Sequence, residues 1–342
     1  MSYRVAPAVV MGGLAVLTLL ACLLSLAFGP MRLPLGETVR ALGYLVGLPL
    51  EPSSQAVLVI GQIRLPRMLI GLTIGSILSG TGVAMQALFR NPLADPALIG
   101  VSAGAALGAA LAINGLGTDW TSPTLRPYLV SGYAFLGGLA ITMVVYRLGS
   151  VHGQTRVGTM LLAGVALTAM AGALVGLLSY LADDATLRQM TTWSMGSLGG
   201  ASYARLWPLV LLALPILFWL PRRSKALNLL LLGESEARHL GINVERLKQE
   251  LVLVTALGVG ACVAAAGLIG FVGLVVPHIL RLLIGPDHQV LLPAALLGGA
   301  GFLLLADLTA RLLLAPAELP IGIVTALIGA PLFLFLLLRR GA

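Results

Sequence analysis

Charge is what this chain has least of. Only 10% of its 342 residues are Asp, Glu, Lys or Arg, against about 25% in an ordinary soluble domain. With 58% hydrophobic residues and a mean hydropathy of +1.00, such a chain cannot cover a water-facing surface. It reads as an all-α polytopic membrane protein. Lysine is scarcer still: Lys225 and Lys248 stand alone, and neither follows a glycine. A G-x-x-x-x-G-K-[ST] phosphate loop is therefore excluded, and with it ATP hydrolysis by this chain on its own. Cys22 and Cys262 are the only cysteines and both lie inside apolar runs, which leaves no disulfide framework and no thiolate metal spacing. The four histidines, His152, His239, His278 and His288, form no H-x-x-x-H or H-x-x-E-H pattern. Ser194 and Ser197 in W-S-M-G-S-L stand outside the G-x-S-x-G frame of a nucleophile elbow. Neither enzymatic chemistry nor a resident metal or cofactor is expected.

What fills the sequence is a series of ten apolar segments, at roughly residues 6–28, 68–89, 96–116, 128–146, 157–181, 206–221, 251–267, 274–285, 290–310 and 320–338. About 20 apolar residues at 1.5 Å per residue span a hydrocarbon core ~30 Å thick. Ten such runs predict one transmembrane domain over residues 1–342, with ten helices. The eighth run is short and sits among Gly267, Gly270, Gly273 and Pro277. That is the composition of a broken or half-spanning helix, tolerated at membrane depth only where protein or a cavity surrounds it. The first run, Val5 to Phe28 after Arg4, imitates a signal peptide and carries L-L-A-C at 19–22. It outruns the usual signal core of about 7–15 residues and continues past Cys22, so it is expected to stay as the first membrane helix.

A formal charge of +8 would suggest nucleic acid in a soluble protein. In a chain this apolar it is expected to anchor helix ends at lipid headgroups, with no nucleic-acid partner. The same cations orient the chain. With the amino terminus inside, thirteen fall on the inner side and eight on the outer, which favours both termini in the cytoplasm. Eight is a large outer number, and Arg64, Arg67 and Arg311 among them stand at helix mouths. Asp307 lies one turn before Arg311, the spacing of an i,i+4 ion pair. It is also the best candidate for the mid-membrane carboxylate that the alternative class, an ion-coupled secondary transporter, would require.

Residues 68–89 carry Gly71, Gly75, Ser79 and Gly82 on one helix face, which suits a helix packed tightly against other membrane helices. The loop at about 222–250 gathers four of the thirteen acidic residues, Glu234, Glu236, Glu245 and Glu250. Within it Leu229 to Leu232 is apolar, Gly233 breaks the run, Glu234 to Leu240 fits two helical turns, and Gly241 suits a helix stop. Two short helices on the inner surface are predicted, with four consecutive leucines offered to a partner surface.

These pieces resemble a known family. R-L-P-R (64–67), the glycine-rich segment and M-Q-A-L-F-R-N-P-L-A-D-P (85–96) come first. L-L-A-G-V-A-L (161–167), W-S-M-G-S-L (193–198) and L-L-L-G-E-S-E-A-R-H-L-G (230–241) follow in order. G-F-V-G-L-V-V-P-H-I-L-R (270–281) and E-L-P-I-G-I-V-T-A-L-I-G-A-P-L-F (318–333) complete the set. Together they resemble the FecCD-type permeases of ABC importers for iron-siderophores, haem and cobalamin, over nearly the whole chain.

The resemblance implies a type II importer permease in a bacterial inner membrane, working as a homodimer with the path along its axis. Two copies of a separate ATPase subunit would bind ATP on the cytoplasmic side, and a periplasmic substrate-binding protein would dock on the other. Leu231, Leu232, Gly233, Glu234, Ala237, Leu240 and Gly241 match the coupling helices that meet the ATPase. Arg64, Arg67 and Arg311 match outward arginines that pair with carboxylates of the binding protein, which would account for the outer surplus. Asn91 and Leu93 match a turn of the cytoplasmic gate, and Ser150 and His152 in the Gly149–Thr155 turn a second gate layer. Residues 182–198 resemble the haem-importing branch, in which an arginine at the position of Arg188 lies near the periplasmic mouth, with Trp193 and Met195 along the path. Haem is thus the expected substrate, ahead of iron-siderophore and cobalamin. Arg188 would pair with a haem propionate, or alternatively with Asp183 or Asp184.

Overall fold

The structure, a computed structural model, describes residues 5–116, 125–151 and 154–340. The chain opens with α1 (Pro7–Ala27) and α2 (Leu35–Leu45); α3 (Ser54–Leu58) then runs through a π-helical turn, Val59–Arg64, into α4 (Leu65–Leu88). A 3-10 turn (Pro96–Ile99) leads to α5 (Val101–Ile113) and α6 (Arg126–Gly149). A two-stranded hairpin, β1 (Ser150–Val151) and β2 (Gln154–Thr155), joins α6 to α7 (Val157–Leu181) and is paired antiparallel with Ser150 opposite Thr155. Next come α8 (Asp184–Ser194), α9 (Tyr203–Arg222), and the short α10 (Ser224–Leu232) and α11 (Glu234–His239). The last four are α12 (Val244–Ala266), α13 (Val272–Ile284), α14 (His288–Leu312) and α15 (Ile321–Arg340).

Among the described residues, seven stretches are long and apolar enough to cross a membrane: α1, the 35-residue run Ser54–Leu88, α6, α7, α9, α12 and α14. Val101–Ile113, Val272–Ile284 and Ile321–Leu334 are shorter apolar helices at the other three predicted segments. Side chains set several of the starts. Asp287 accepts from the Gln289 amide ahead of α14, Asn243 from Arg246 ahead of α12, and Asp183 from Thr186 ahead of α8; each satisfies an amide the first turn would leave open. Pro66 sits in the first turn of α4, where its missing N–H is no loss.

The core forms around α4, which packs on α14, α12, α13 and α9. Helices in lipid gain nothing by hiding apolar surface from one another, so close approach through small residues has to hold them. A methyl carbon on Gly75 would stand 2.2 Å from the Gly299 carbonyl oxygen of α14, and one on Gly82 1.9 Å from that of Gly273. The small-residue face read from the sequence is therefore a backbone-to-backbone contact.

The eighth segment is a short unbroken helix of 13 residues, half-spanning in length, and the break its glycines suggested lies just before it. Helix α12 stops at Ala266, and Gly267 (φ 73) and Phe271 (φ 68) bend the chain before α13 begins at Val272. The bend is enclosed by protein: Ser197 N donates to the Ala266 carbonyl at 2.7 Å, and Gly267 abuts the Trp193 carbonyl. The first helix is an integral part of the bundle, lying along α14 with Thr18 Oγ1 donating to the Leu297 carbonyl at 3.1 Å. The hairpin, α10 and α11 occupy one end, the loop end, where α12 and α14 begin. The C-terminus of α1, helix α8 and residues 313–320 occupy the distal end.

Candidate functional site

At the distal end, the three arginines expected to face outward are turned in. Arg64, Arg67 and Arg311 are 3%, 6% and 2% exposed, and the reason is unsatisfied backbone. Helix α1 ends with carbonyls that have no partner within the helix, and cations suit that negative end. Arg64 Nη1 donates to the carbonyls of Leu26 at 2.6 Å and Ala27 at 2.8 Å, and its Nη2 to that of Met31. Arg311 Nη2 donates to Ser25 Oγ at 2.9 Å. Arg67 Nη2 pairs with Asp307 Oδ1 at 2.9 Å and its Nη1 with Glu318 at 3.0 Å, while Arg311 Nε reaches Asp307 Oδ2 at 3.1 Å. Free surface cations these are not: their charge is consumed inside the chain. The i,i+4 pair read from the sequence is present, and Asp307 is clamped between two guanidiniums, which is no position for a proton carrier.

Beside this cluster a cavity of about 600 Å³ opens between α6, α8, α9 and α12. Its lining includes Arg188, Gln189, Thr192, Trp193, Ser197 and Arg205. Among the described residues neither guanidinium has an ion-pair partner. Asp183 is occupied otherwise: its Oδ1 accepts from the Thr186 amide at 2.7 Å, and that bond holds its carboxyl below the ordinary range. Neither Asp183 nor Asp184, the internal partners considered for Arg188, forms an ion pair with it among the described residues. Two uncompensated cations lining one cavity can bind a ligand with two anionic groups. Of the path residues, Arg188 and Trp193 line the cavity and Met195 does not. The Met195 carbonyl accepts from the Gly322 amide at 3.1 Å, tying the end of α8 to α15.

At the loop end, Asn91 is exposed and its Oδ1 accepts from the Leu93 amide at 3.0 Å, closing a tight turn after α4. Ser150 is half-buried in the hairpin, its Oγ 3.2 Å from Thr155 Oγ1. His152 lies outside the described residues.

The loop of 222–250 forms two short helices separated by Gly233 (φ 131) and closed by Gly241 (φ 86). Its faces differ from the expected ones. Leu227 and Leu230 are buried, Leu229 and Leu231 half-buried, and of the four consecutive leucines only Leu232 stands clear, 64% exposed. Ala237 is fully buried, so it anchors α11 to the bundle and offers nothing to a partner. Glu234 Oε2 accepts from Lys248 Nζ at 2.7 Å. The surface left for a partner is Leu232, Ser235, Glu236, His239, Leu240 and Gly241. Beside it is a cleft of about 360 Å³ lined by Arg223, Gly241, Asn243, Arg246 and Glu250.

Sequence reading missed Arg205, Lys248, Glu245 and Asn228. Arg205 was counted only as an outer cation, and the other three were loop polars whose partners lie far along the chain. It also passed over G-V-S-A-G at 100–104, which spells the elbow pattern. There Ser102 sits in the first turn of α5 after a 3-10 turn, with no strand before it, and Gly104 is packed on the Gly137 carbonyl. Among the described residues no group of three or more His, Cys, Asp or Glu could hold a metal ion.

Known proteins resemble this chain over most of its length. The chain is 48% identical to a hemin transport system permease protein of Yersinia pestis over 284 residues, 82% of this chain and 83% of that one. It is 45% identical to a vitamin B12 import system permease protein of Klebsiella pneumoniae over 327 residues, 96% and 92% of the two chains. A solved structure described as a metal-chelate type ABC transporter in an inward-facing conformation superposes with a TM-score of 0.82 at 35% identity, covering 96% of this chain and 98% of that one. With the family profile matching residues 17–339, the chain belongs to the FecCD transport family of membrane permeases.

Proposed function

We propose that this chain is the permease subunit of an ATP-driven ABC importer in a bacterial inner membrane, carrying haem from a periplasmic binding protein to the cytoplasm. The observation that carries the cargo reading is the pair Arg188 and Arg205, two uncompensated cations on one distal cavity. Haem presents two carboxylates on one edge, and two guanidiniums can take them as charge-assisted pairs. A hemin permease at 48% identity supports this choice, and a vitamin B12 permease at 45% makes cobalamin the principal competitor. An iron-siderophore is the third candidate.

In this reading the loop end faces the cytoplasm, with both termini, and the distal end faces the periplasm. The ridge of Leu232, His239 and Leu240 receives a separate ATPase subunit, which supplies the nucleotide chemistry that a chain without a phosphate loop cannot. Two copies of the permease meet along α7, whose only buried residues are Met160, Gly164 and Ala171, so most of that helix is open to a second chain or to lipid. The binding protein seats on the distal rim around Glu318 and the cavity mouth. The turn at Asn91 and Leu93 and the hairpin form the cytoplasmic gate. An ion-driven carrier fits less well, because Asp307 is held by two arginines.

The test is uptake into proteoliposomes containing the chain, its ATPase subunit and the binding protein, with haem, cobalamin and a ferric siderophore offered in turn. Haem accumulation that needs ATP and the ATPase subunit and survives an uncoupler is expected. Preferential uptake of either competitor replaces the cargo, and uptake by the chain alone under a proton gradient overturns the proposal.

A further inference from the structure

Lys248, one of the two lysines in the chain, is 1% exposed in the first turns of α12. Its ammonium has three donors, and they go to three segments. Nζ donates to the Thr155 carbonyl on β2 at 2.9 Å, to Glu234 Oε2 at the start of α11 at 2.7 Å, and to Glu245 Oε1 on its own helix at 3.2 Å. Glu245 doubles the link, its Oε2 accepting from the Thr155 amide at 2.7 Å. Arg238 covers both carboxylates from the solvent side, at 3.4 Å from Glu245 and 3.7 Å from Glu234. Two carboxylates against two cations leave no uncompensated charge, which is the condition for burying a lysine.

Both segments held by this cluster are short and have few other tethers. Helix α11 has six residues and Ala237 as its only buried one, and a helix that short has little stability of its own. The hairpin has two residues per strand, below what a hairpin needs to hold itself together. Helix α10 has a separate tether: Asn228 Nδ2 donates to Asp287 Oδ1 at 2.7 Å, and its Oδ1 accepts from the His288 amide at 2.9 Å. So α10 is fixed to α14, while α11 is joined through Lys248 to the hairpin that ends α6 and starts α7.

We infer that Lys248 is the joint through which displacement of α11 reaches the hairpin, a positioning residue that makes the two move as one body. This rests on the proposed function, in which the ATPase subunit pushes on the part of the ridge that belongs to α11 and its cap, His239 and Leu240. Charge-assisted bonds to a buried ammonium are short, and the Lys248 side chain is 2% exposed, so such a push reaches Thr155 with little slack. From there it acts on the adjoining ends of two membrane helices. Lys248 touches neither substrate nor the partner surface; it determines whether movement of one is felt at the other.

The experiment uses the full chain with its ATPase subunit and binding protein in proteoliposomes, with Cys22→Ala and Cys262→Ala as background. Spin labels are attached at Gln154→Cys and Ser235→Cys, both exposed positions. Because Ser235 lies on the surface offered to the ATPase subunit, uptake and affinity are read on unlabelled chains and the label distance on a labelled chain shown to keep ATP-dependent uptake. In the unmodified joint, the label-to-label distance is expected to be the same with and without ATP. In Lys248→Met the distance distribution broadens and uptake per ATP hydrolysed falls at least fivefold, while affinity for the ATPase subunit stays within twofold. Glu234→Gln keeps the side-chain shape and removes one partner. It is expected to act in the same direction and keeps the question open to test if Lys248→Met fails to fold. Unchanged label distances and unchanged uptake per ATP in the variants overturn the joint. A parent chain with no ATP-dependent uptake overturns the proposed function instead, while the label distance, read on the chain alone, still tests the joint.

Discussion

Arg67 and Asp307 meet between α4 and α14, guanidinium Nη2 to carboxylate Oδ1 at 2.9 Å, with side chains 7% and 1% exposed. Asp307 also pairs with Arg311 at 3.1 Å, whereas Glu318, the second partner of Arg67, is 33% exposed. Breaking a buried pair by removing one charge costs about 3–5 kcal/mol, because the other charge stays buried. A partly solvated pair is worth about 0–1 kcal/mol. Asp307→Asn is therefore expected to lower unfolding stability in detergent by about 3–5 kcal/mol, and Glu318→Gln by less than about 1 kcal/mol. Thermal unfolding followed by the fluorescence of the four tryptophans would check the order. Equal losses would mean that the cluster is solvated.

Gly75 and Gly299 leave no room for a side chain: each would place a Cβ within 2.3 Å of the carbonyl oxygen of the other. Overpacking of this kind costs about 1–3 kcal/mol when neighbours can shift, and backbone shifts less readily than a side chain. Gly75→Ala is expected to drive α4 and α14 apart and to lower the yield of folded protein extracted from membranes. Gly12→Ala on α1, where a Cβ meets nothing within 4 Å, is the control and is expected to be silent.

Exposure separates two kinds of residue in the loop helices. Leu232 and Leu240 are 64% and 58% exposed, while Ala237 is fully buried. Burying a leucine at an interface is worth about 1.5–3 kcal/mol, or roughly tenfold to a hundredfold in Kd. Leu232→Ser and Leu240→Ser are each expected to weaken capture of the ATPase subunit by about that factor, leaving the melting temperature unchanged. Ala237→Leu is expected to do the reverse, destabilising the chain first. A pull-down titration beside a melting curve distinguishes the two.

The membrane helices were legible because length and hydropathy are properties of a continuous run, and the short eighth one, with the bend before it, because Gly267, Gly270 and Gly273 declare it. Helices α2 and α8 were not, since L-G-E-T-V-R-A-L-G-Y-L and D-A-T-L-R-Q-M-T-T-W-S are half polar and carry no spanning signal. Resemblance named candidate residues at the two ends but not the direction of their side chains. Whether Arg311 points outward depends on the carbonyls of Ser25 and Phe28, 286 and 283 residues away. Lys248 and Thr155 are likewise 93 residues apart. A motif reports residue types in order; which groups consume one another is settled only when distant segments meet.

That distinction bears most on Arg188 and Arg205, which line one cavity yet come from α8 and α9. If both hold the anionic groups of a cargo, each contributes a charge-assisted contact worth about 1.5–3 kcal/mol when its geometry is good. Arg188→Gln and Arg205→Gln are each expected to raise the half-saturating concentration for haem uptake by about tenfold or more. The double variant is expected to lose less than the sum of the two, because contacts that share one ligand are coupled. Uptake of a haem analogue with esterified propionates should be slow in the parent chain and insensitive to both substitutions. Were the ester transported as well as haem, the two arginines would be holding something other than the carboxylates of the cargo. The distal cavity would then be a passage and not a selective site.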